Sequence, residues 1–422
     1  MNKVKILVYR LYIQMLKMTF FKDLKVLNWG FCKLSFIFGL RIIKLKIRSF
    51  SVHFKPNVIV AEKTLITYGP KEIDGSQNKV SRILPALNFY KINKAIVNAN
   101  SPIIISRKEG YYQEYPTGDS NIEMIDFAHG HVIAHDGDSI LVDVNINSKV
   151  EKGIFLGGSW PTNWYHWTIE IMSKVELINQ ISKEYEDFPL LIPSKVLKSK
   201  NHIDFLRLLF DKRKTIDLKY NTEVESLIYI DSPAISSPKM KYKDDSAYDR
   251  LKMGLFRTDI LNDYRNLVLK KVNHFNQSDS NLSSFKRIYL ARHRSTRIFN
   301  HADVIERLKK YNFEPIYLED HNVNEQLKIL GNADFIIGPT GAAWANLLFS
   351  NASNAIILMP KFLVGVPTFP TIAKTAGVDL TFYRFPTESK SWVEFMRANE
   401  ECLIDLDVLE GLVQKKINDT SY

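Results

Sequence analysis

The sequence has little cysteine, no long apolar run near its start, and almost no acidic residues there. Its 422 residues include only Cys32 and Cys402, which excludes a disulfide framework or a cysteine-rich metal site and indicates a reducing compartment. The charge-free run at 34–40 is far shorter than the roughly 20 residues that span a bilayer. No small-residue cleavage site follows an apolar core, so no signal peptide is predicted.

The first fifty residues are rich in basic residues and in large apolar side chains. They hold eleven Lys or Arg residues against Asp23 alone, so ten of the eleven net positive charges lie there. Large apolar side chains such as Trp29, Phe36 and Ile37 stand between them. This combination predicts a segment lying in an anionic membrane interface; the alternative is a helix packed on its own domain with its lysines in water. The remaining chain is nearly neutral, which excludes a nucleic-acid-binding body.

Length and turn signals divide the chain into parts. A chain of 422 residues exceeds one ordinary core. We predict a basic amphipathic membrane-surface segment at 1–50, an N-terminal domain at 51–272, a C-terminal domain at 285–400 and a final helix at 401–422. The Asn- and Ser-rich stretch at 273–284 is the linker. Up to residue 150 short β-like runs alternate with turns; among them Asp136-Gly137-Asp138 predicts a hairpin rather than a metal-binding D-x-D element.

From residue 286 onward the pattern alternates regularly between strands and short helices. Strands are predicted at 287–292, 314–318, 334–337, 355–359 and 380–385, and helices at 301–311, 323–330 and 371–376. This order predicts an α/β fold with a parallel sheet and right-handed crossovers. Ligands of such sheets bind beyond the carboxyl ends of the strands. Arg292, Arg294 and Arg297 follow one such end, and residues 338–346 follow another.

The stretch from Gly338 to Phe349, GPTGAAWANLLF, is the first candidate site. A buried strand, a tight Gly turn and a helix start aim free N–H groups and the helix dipole at one point, which suits a phosphate. Because Gly341 has no side chain, a ligand can approach the backbone closely. The alternative is an ordinary βα turn, since the stretch is neither a Walker loop nor a GxGxxG fingerprint.

The second candidate is the aromatic stretch from Gly157 to Glu170, in which Asn163 is a good N-cap. His166 and Glu170 stand four residues apart and share one helix face. A carboxylate beside an imidazole fixes the tautomer and raises the basicity, as a general base requires. Neighbouring aromatic side chains could stack on sugar rings. The alternative is a core-facing helix start with a buried histidine; zinc is not predicted, because no second His or Cys lies at ligand spacing.

Three motifs make the chain resemble glycosyltransferase family 61, a group that includes bacterial capsular-polysaccharide-type transferases. The first is Asn163 to Glu170, NWYHWTIE. The second is the strand ending in Ala291-Arg292, followed by Arg297. The third is Glu325-Gln326 before the stretch 338–349. The resemblance runs from about residue 150 to the C-terminus. It departs from the family pattern at Thr340, where the usual residue is His, and at Ala291, where it is Ser.

The resemblance implies a GT-B-like pair of Rossmann-like domains facing a cleft, an inverting mechanism and a nucleotide-sugar donor. It implies no cofactor and no metal, and the donor would be UDP-linked. On this basis His166 is the base, oriented by Glu170, while Glu325 contacts the ribose or only caps its helix. The predicted donor-binding residues are Arg292, Arg297, Gly338, Thr340, Gly341, Ala342, Asn346 and Glu325. The predicted acceptor-binding residues are Trp160, Asn163 and Tyr165.

The function predicted from these elements is sugar transfer to a glycan or lipid-linked acceptor in bacterial surface-polysaccharide biosynthesis. The enzyme would be cytoplasmic and peripheral at the inner face of the membrane. Two alternatives stay open. One is a catalytically silent sugar-binding or scaffold protein at the membrane, which the replacement of the phosphate-site His by Thr340 favours. The other is a transferase of a non-sugar group such as pyruvate.

Overall fold

The protein is described from a computed structural model. The described residues are 3–113, 122–125, 127–181, 183–236, 240–242, 251–252, 254–275, 285–293, 298–363, 366–390, 394–395 and 400–419. Arg294 and Arg297, and most of the predicted linker at 273–284, lie outside them. The fold is α/β, as the sequence predicts, and is built on two principal sheets.

The first sheet, called the N-terminal sheet below, has a parallel centre extended by antiparallel strands. Its spatial order is Thr215–Leu218, Leu190–Pro193, Ser148–Phe155, Asn221–Ile230, Leu87–Asn98, Ile104–Ser106, Glu109–Tyr112, Ile42–Ser49, Ser139–Asp143 and Val132–Asp136, with Asn57–Val60 paired to Leu87–Asn98. The first four strands run parallel. Strand Leu190–Pro193 is buried throughout. Its sequence is a continuous apolar run because both faces of a parallel sheet are covered.

The predicted hairpin at Asp136-Gly137-Asp138 is confirmed. Strands Val132–Asp136 and Ser139–Asp143 pair antiparallel, with Ser139 opposite Asp136. Gly137 has φ 54°, the left-handed conformation that this turn requires and that glycine adopts without cost. Gly137 and Asp138 therefore form the two-residue turn between these strands.

The second sheet, called the C-terminal sheet, contains the five strands predicted after residue 286 and two further strands. Its order is Phe313–Tyr317, Arg287–Ala291, Phe335–Pro339, Asn354–Pro360, Asp379–Phe385, Lys63–Lys71 and Gln77–Leu84. The first five strands are parallel. The last two form a hairpin that comes from the N-terminal part of the chain and extends this sheet. The proposed domain bounds at 51–272 and 285–400 stay a prediction, and this hairpin crosses them.

Helices pack on both sheets and fill the space between them. The α-helices are Lys3–Phe21, Lys25–Leu34, Val175–Ile181, Lys200–Phe210, Thr258–Phe275, His301–Lys309, Val323–Asn332, Thr368–Ala376 and Leu406–Asp419. Shorter 3₁₀ segments are Ser35–Phe38, Phe50–Val52, Met172–Lys174, Val196–Lys198, Leu318–Asp320 and Ala342–Phe349, and a π-helical segment covers His166–Ile171. Of the helices described, none is both long and apolar enough to cross a bilayer.

One apolar cluster joins the two sheets. It includes Ile154 and Ile192 from the N-terminal sheet together with Leu290 and Ile357 from the C-terminal sheet. The carboxyl ends of strands Ser148–Phe155, Leu190–Pro193, Arg287–Ala291 and Phe335–Pro339 lead into the segments that meet between the sheets. These segments carry the candidate site.

Candidate functional site

A cavity of about 380 Å³ lies between segments of the two sheets. From the N-terminal side it is lined by Trp164, Ser199, Asn201 and His202. From the C-terminal side it is lined by Leu290, Ala291, Arg292, Leu318, Glu319, Gln326, Pro339, Ala342, Ala343 and Asn346. Its volume falls within the roughly 300–1,000 Å³ typical of small-molecule sites. Pro339 and Ala342, which flank Thr340 and Gly341 of the Gly turn, therefore line the same crevice as Arg292, the first arginine of the sequence-predicted cluster.

Neighbouring side chains leave no room for a Cβ atom at Gly338 or Gly341. A Cβ on Gly341 would lie 1.7 Å from Arg292 Nη2, and one on Gly338 would lie 2.7 Å from Leu290 Cβ. The Arg292 guanidinium lies over the turn and donates a long hydrogen bond of 3.4 Å to the Thr340 carbonyl oxygen. Burial lowers the pKa of Arg292, while Glu319 opposes that shift. A desolvated guanidinium against a bare backbone turn is a favourable place for an anion.

The segment after the turn is a 3₁₀-helix, which is wound more tightly than an α-helix. Residues Ala342–Phe349 form the helix that the sequence predicts after the turn, with Gly341 as its N-cap. Its start is fixed by Trp344, which is buried and donates from Nε1 to the Pro339 carbonyl oxygen at 2.9 Å. Thr340 is buried and donates its backbone N–H to Leu358 O at 2.9 Å. The helix start faces the cavity through Ala342 and Ala343.

A hydrogen-bond chain connects the two sequence motifs across the cavity. Trp164 Nε1 donates to Asn346 Oδ1 at 2.7 Å, and Asn346 Nδ2 donates to Gln326 Oε1 at 3.2 Å. Gln326 Nε2 in turn donates to the carbonyl oxygens of Leu318 and His321 at 2.8 and 3.0 Å. The aromatic stretch and the Gly turn, predicted separately from sequence, are therefore in direct contact.

His166 and Glu170 form the predicted pair. His166 Nδ1 and Glu170 Oε2 are 2.7 Å apart, and both side chains are about nine-tenths buried. The other carboxylate oxygen, Glu170 Oε1, accepts hydrogen bonds from the Ser236 N–H at 2.7 Å and hydroxyl at 2.6 Å. A carboxylate held this way accepts a hydrogen bond from Nδ1–H and keeps that proton on Nδ1, so the neutral imidazole has a free Nε2 lone pair for a substrate proton.

The helix carrying this pair is π-helical over His166–Ile171. Single π-helical turns are rare and occur frequently at functional sites. The helix begins behind Asn163, whose Oδ1 accepts the Tyr165 N–H at 2.9 Å, the contact expected of the predicted N-cap. It continues through Met172–Lys174 into Val175–Ile181, as the apolar periodicity predicts.

The predicted acceptor residues differ in their accessibility. Trp160 is partly exposed and has φ 46°, and its ring centroid lies 5.2 Å from that of His166 and 4.3 Å from that of His129. Tyr165 is buried and packs edge-on against Phe369. Asn163 is engaged in the helix start. Among these three, Trp160 has the ring that a substrate can reach beside the imidazole.

Among the described donor residues, Gly338, Thr340, Gly341 and Glu325 do not line the cavity. Arg297 lies outside the described residues. Glu325 forms a capping box with Asn322, accepting the Asn322 N–H at 2.8 Å while Asn322 Oδ1 accepts the Glu325 N–H at 3.1 Å. Of the two roles predicted for Glu325, the structure therefore shows the cap. Glu325 also borders a second, polar cavity of about 440 Å³ that shares Ser199, Asn201 and Glu319 with the first.

Several site residues were not predicted from sequence. Gln326 was quoted only as part of a motif, yet it orients Asn346. Ser236 orients Glu170 from 66 residues away, and no local pattern indicates such a contact. His202 lines the cavity behind Trp164, and its Nδ1 is 2.7 Å from the Ser199 hydroxyl. Burial lowers the pKa of His202 to about 4, so it is neutral at physiological pH.

A family model described as Glycosyltransferase 61 matches residues 164–357. The matched range includes His166, Glu170, Arg292 and the Gly turn, and it ends within strand Asn354–Pro360. No match was found among curated proteins.

Proposed function

We propose that this chain, a glycosyltransferase whose residues 164–357 match the model of family 61, is inverting and metal-independent. In this proposal it moves a sugar from a nucleotide-sugar donor to a glycan or lipid-linked acceptor in bacterial surface-polysaccharide biosynthesis. The observation that carries the proposal is the hydrogen bond between Trp164 and Asn346. It joins the segment of the candidate base to the segment of the candidate phosphate site at one cavity.

The donor, which we take to be UDP-linked, would place its diphosphate on the Gly turn. The Arg292 guanidinium, the N–H groups at the start of Ala342–Phe349 and the Asn346 side chain supply donors and positive charge there. The diphosphate gains negative charge as it leaves, so these fixed groups stabilise the transition state more than the ground state. Arg297 would add a second guanidinium. Thr340 offers a hydroxyl where the family pattern has His, so it binds phosphate without adding charge.

His166 would act as the general base. Its Nδ1–H stays hydrogen-bonded to the Glu170 carboxylate, while Nε2 takes the proton of an acceptor hydroxyl. The hydroxyl oxygen then forms a bond to the anomeric carbon as the bond from that carbon to the diphosphate oxygen breaks. Attack opposite the leaving group inverts the anomeric configuration. Trp160 would pack on an acceptor sugar ring next to the imidazole.

The architecture supports a GT-B-like arrangement. The predicted N-terminal domain carries His166 in the segment that follows the parallel strand Ser148–Phe155, and the predicted C-terminal domain carries Arg292 and the Gly turn at the ends of two other parallel strands. The basic segment at 1–50 would hold the enzyme at the cytoplasmic face of the membrane, close to a lipid-linked acceptor. Carbohydrate and membrane are thus the proposed partners.

A donor screen tests the proposal. Purified protein is incubated with individual nucleotide sugars, and release of nucleoside diphosphate is measured with wild type, His166→Ala and Glu170→Gln. We expect release from one donor, a loss of roughly 10²–10⁴-fold in His166→Ala, and a smaller loss in Glu170→Gln, which keeps a hydrogen-bonding oxygen. Full activity in His166→Ala would show that the base is elsewhere. No release from any nucleotide sugar would favour the two alternatives, a catalytically silent protein or a transferase of a non-sugar group.

A further inference from the structure

The chain begins with a docked helical hairpin. Helices Lys3–Phe21 and Lys25–Leu34 with the turn Ser35–Phe38 form what we call the N-terminal hairpin. One side of it is packed on the N-terminal sheet: Tyr12, Leu16 and Phe20 form an apolar cluster with Ile42 and Leu141. Its helices are also tied by hydrogen bonds, from Tyr12 Oη to Phe31 O at 2.8 Å and from Asn28 Nδ2 to Leu16 O at 3.2 Å. The other side is therefore presented outward by a folded element.

That outward side is apolar. More than half of the exposed large apolar side chains in the described part of the chain lie between residues 8 and 43. Val26, Trp29 and Phe36 are 81%, 61% and 71% exposed. The others are Val8, Leu11, Met15, Met18, Phe21, Leu24, Leu27, Leu34, Ile37 and Ile43. Singly exposed apolar residues are normal, but a concentration of this kind marks an interaction surface.

A cavity of about 870 Å³ opens between the hairpin and the start of strand Ile42–Ser49. The cations that line it are Lys25, Lys33, Arg41 and Lys44, and the only carboxylate among its lining residues is Asp23. Asp23 lies 3.7 Å from the Lys25 amine and 4.0 Å from the Lys44 amine. The walls are aromatic and aliphatic, formed by Phe20, Trp29, Phe36, Leu40 and Ile43. The cavity thus combines net positive charge with apolar walls.

We propose that the N-terminal hairpin inserts into the headgroup region of an anionic bilayer and that its cavity holds the phosphate of one anionic phospholipid. The lysine and arginine side chains reach the phosphate, while Trp29, Phe36 and Ile37 lie beside the acyl chains. The charge complementarity selects an anionic lipid over a neutral one. The inference rests on the membrane location proposed above, but it does not depend on the transfer chemistry.

Vesicle flotation of the full-length protein tests the surface. We expect binding to phosphatidylcholine vesicles that contain phosphatidylglycerol and little binding to phosphatidylcholine alone. The triple variant Lys25→Glu, Lys33→Glu, Lys44→Glu reverses the charge at the cavity, and the triple variant Trp29→Ser, Phe36→Ser, Ile37→Ser removes the apolar face. Each should weaken binding by roughly tenfold or more.

Two matched control variants carry the same types of substitution at exposed residues outside the N-terminal hairpin. Lys310→Glu, Lys361→Glu, Lys415→Glu makes the same change of net charge on exposed lysines outside the hairpin. Ile83→Ser, Leu403→Ser, Val408→Ser removes exposed apolar side chains outside it. Both controls should bind like wild type. Equal loss in the control and hairpin variants, or equal binding to neutral vesicles, would overturn the proposed surface.

Native mass spectrometry of protein released from membranes in mild detergent tests the cavity. One retained anionic phospholipid is expected in wild type and none in the triple lysine variant. Vesicle binding without a retained lipid would overturn the cavity assignment, as would retention of an acidic protein in place of lipid. Nucleoside diphosphate release is measured in parallel without vesicles. If that activity persists while lipid binding fails, this inference is wrong and the proposed function stands.

Discussion

The role of Gly341 differs from what its sequence context predicts. The sequence suggests that a missing side chain leaves room for a ligand, but the structure fills that room with the Arg292 guanidinium. The backbone at Gly341 is extended, with φ 161°, so the conformation itself does not require glycine. The requirement is steric and comes from a residue 49 positions earlier. Such a contact could not be read from the turn alone.

Replacing Gly341 should therefore act on phosphate binding. In Gly341→Ala the new Cβ displaces the Arg292 guanidinium, and we expect the dissociation constant for UDP to rise roughly tenfold, as the loss of about 1.4 kcal/mol implies. Isothermal titration calorimetry measures this. Gly331→Ala is the control, because nothing lies within 4 Å of its Cβ. Unchanged affinity in Gly341→Ala would show that Arg292 does not contact the diphosphate.

His131 should make the protein acid-sensitive. It is fully buried, with Nε2 3.1 Å from Ile103 O, and burial lowers its pKa from 6.5 to about 4. Between these values the unfolded chain binds the proton and the folded chain does not. The stabilisation is complete above pH 6.5 and is lost as pH falls toward 4. The loss between pH 7 and pH 5 is about 2 kcal/mol.

Urea unfolding at pH 7 and pH 5 checks this prediction for wild type and His131→Gln, which cannot titrate but keeps a side-chain donor. Wild type should lose about 2 kcal/mol more free energy of unfolding over this interval than the variant. A variant with the same pH dependence as wild type would assign the acid sensitivity to other groups.

At the scale of elements, the sequence predicts what local periodicity controls. The strands at 287–292, 334–337 and 355–359 appear as Arg287–Ala291, Phe335–Pro339 and Asn354–Pro360, because each is a short buried run whose pattern is local. The helix type after each motif was not predictable. The π-helical turn His166–Ile171 and the 3₁₀-helix Ala342–Phe349 depend on tertiary contacts, and the pattern of apolar residues does not distinguish them from an α-helix.

The same limit applies to contacts between elements. His166 and Glu170 were predicted to meet because their spacing is local, and they do. The Trp164–Asn346 bond spans 182 residues, so nothing in the spacing of either motif could indicate it. It is nevertheless the contact that aligns the base segment with the Gly turn.

Breaking this bond should weaken donor binding. Trp164→Phe keeps a ring but leaves the buried Asn346 carbonyl oxygen without its 2.7 Å donor, at a cost of about 1–3 kcal/mol. We expect a roughly tenfold or larger rise in the KM for the donor, together with a lower melting temperature.

Trp167→Phe is the matched control. The Trp167 ring is fully buried and, among the described residues, its Nε1–H has no hydrogen-bond partner. Replacing it removes no such contact, so its donor KM should stay close to that of wild type. Equal KM values in Trp164→Phe and wild type would contradict a role for this bond in the site.

At the scale of the whole molecule, two strands from the N-terminal part of the chain extend the C-terminal sheet. The hairpin of Lys63–Lys71 and Gln77–Leu84 covers the edge of strand Asp379–Phe385. Lys71 Nζ is 2.8 Å from Asp379 Oδ1, and Arg384 makes a bidentate pair with Glu72 at 2.7–3.0 Å. The family match at 164–357 includes neither side of this junction. The sequence indicates short β-like runs in the N-terminal part and a strand at 380–385, but it does not indicate that the hairpin of Lys63–Lys71 and Gln77–Leu84 joins the C-terminal sheet.

The C-terminal half should consequently fail to fold by itself. A fragment of residues 285–422 exposes strand Asp379–Phe385 as an open edge, and open apolar edges aggregate. We expect it to be insoluble, whereas the same fragment carrying residues 61–86 on a flexible linker should be soluble and unfold cooperatively. Sedimentation of lysates and thermal unfolding by circular dichroism measure the difference, with the linker alone as the control. If the 285–422 fragment were soluble and unfolded cooperatively, the C-terminal domain would fold independently and would not need the hairpin. The predicted boundary at 285 would then mark an independent unit, and the pairs of Lys71 with Asp379 and Glu72 with Arg384 would serve only to fix the position of the hairpin.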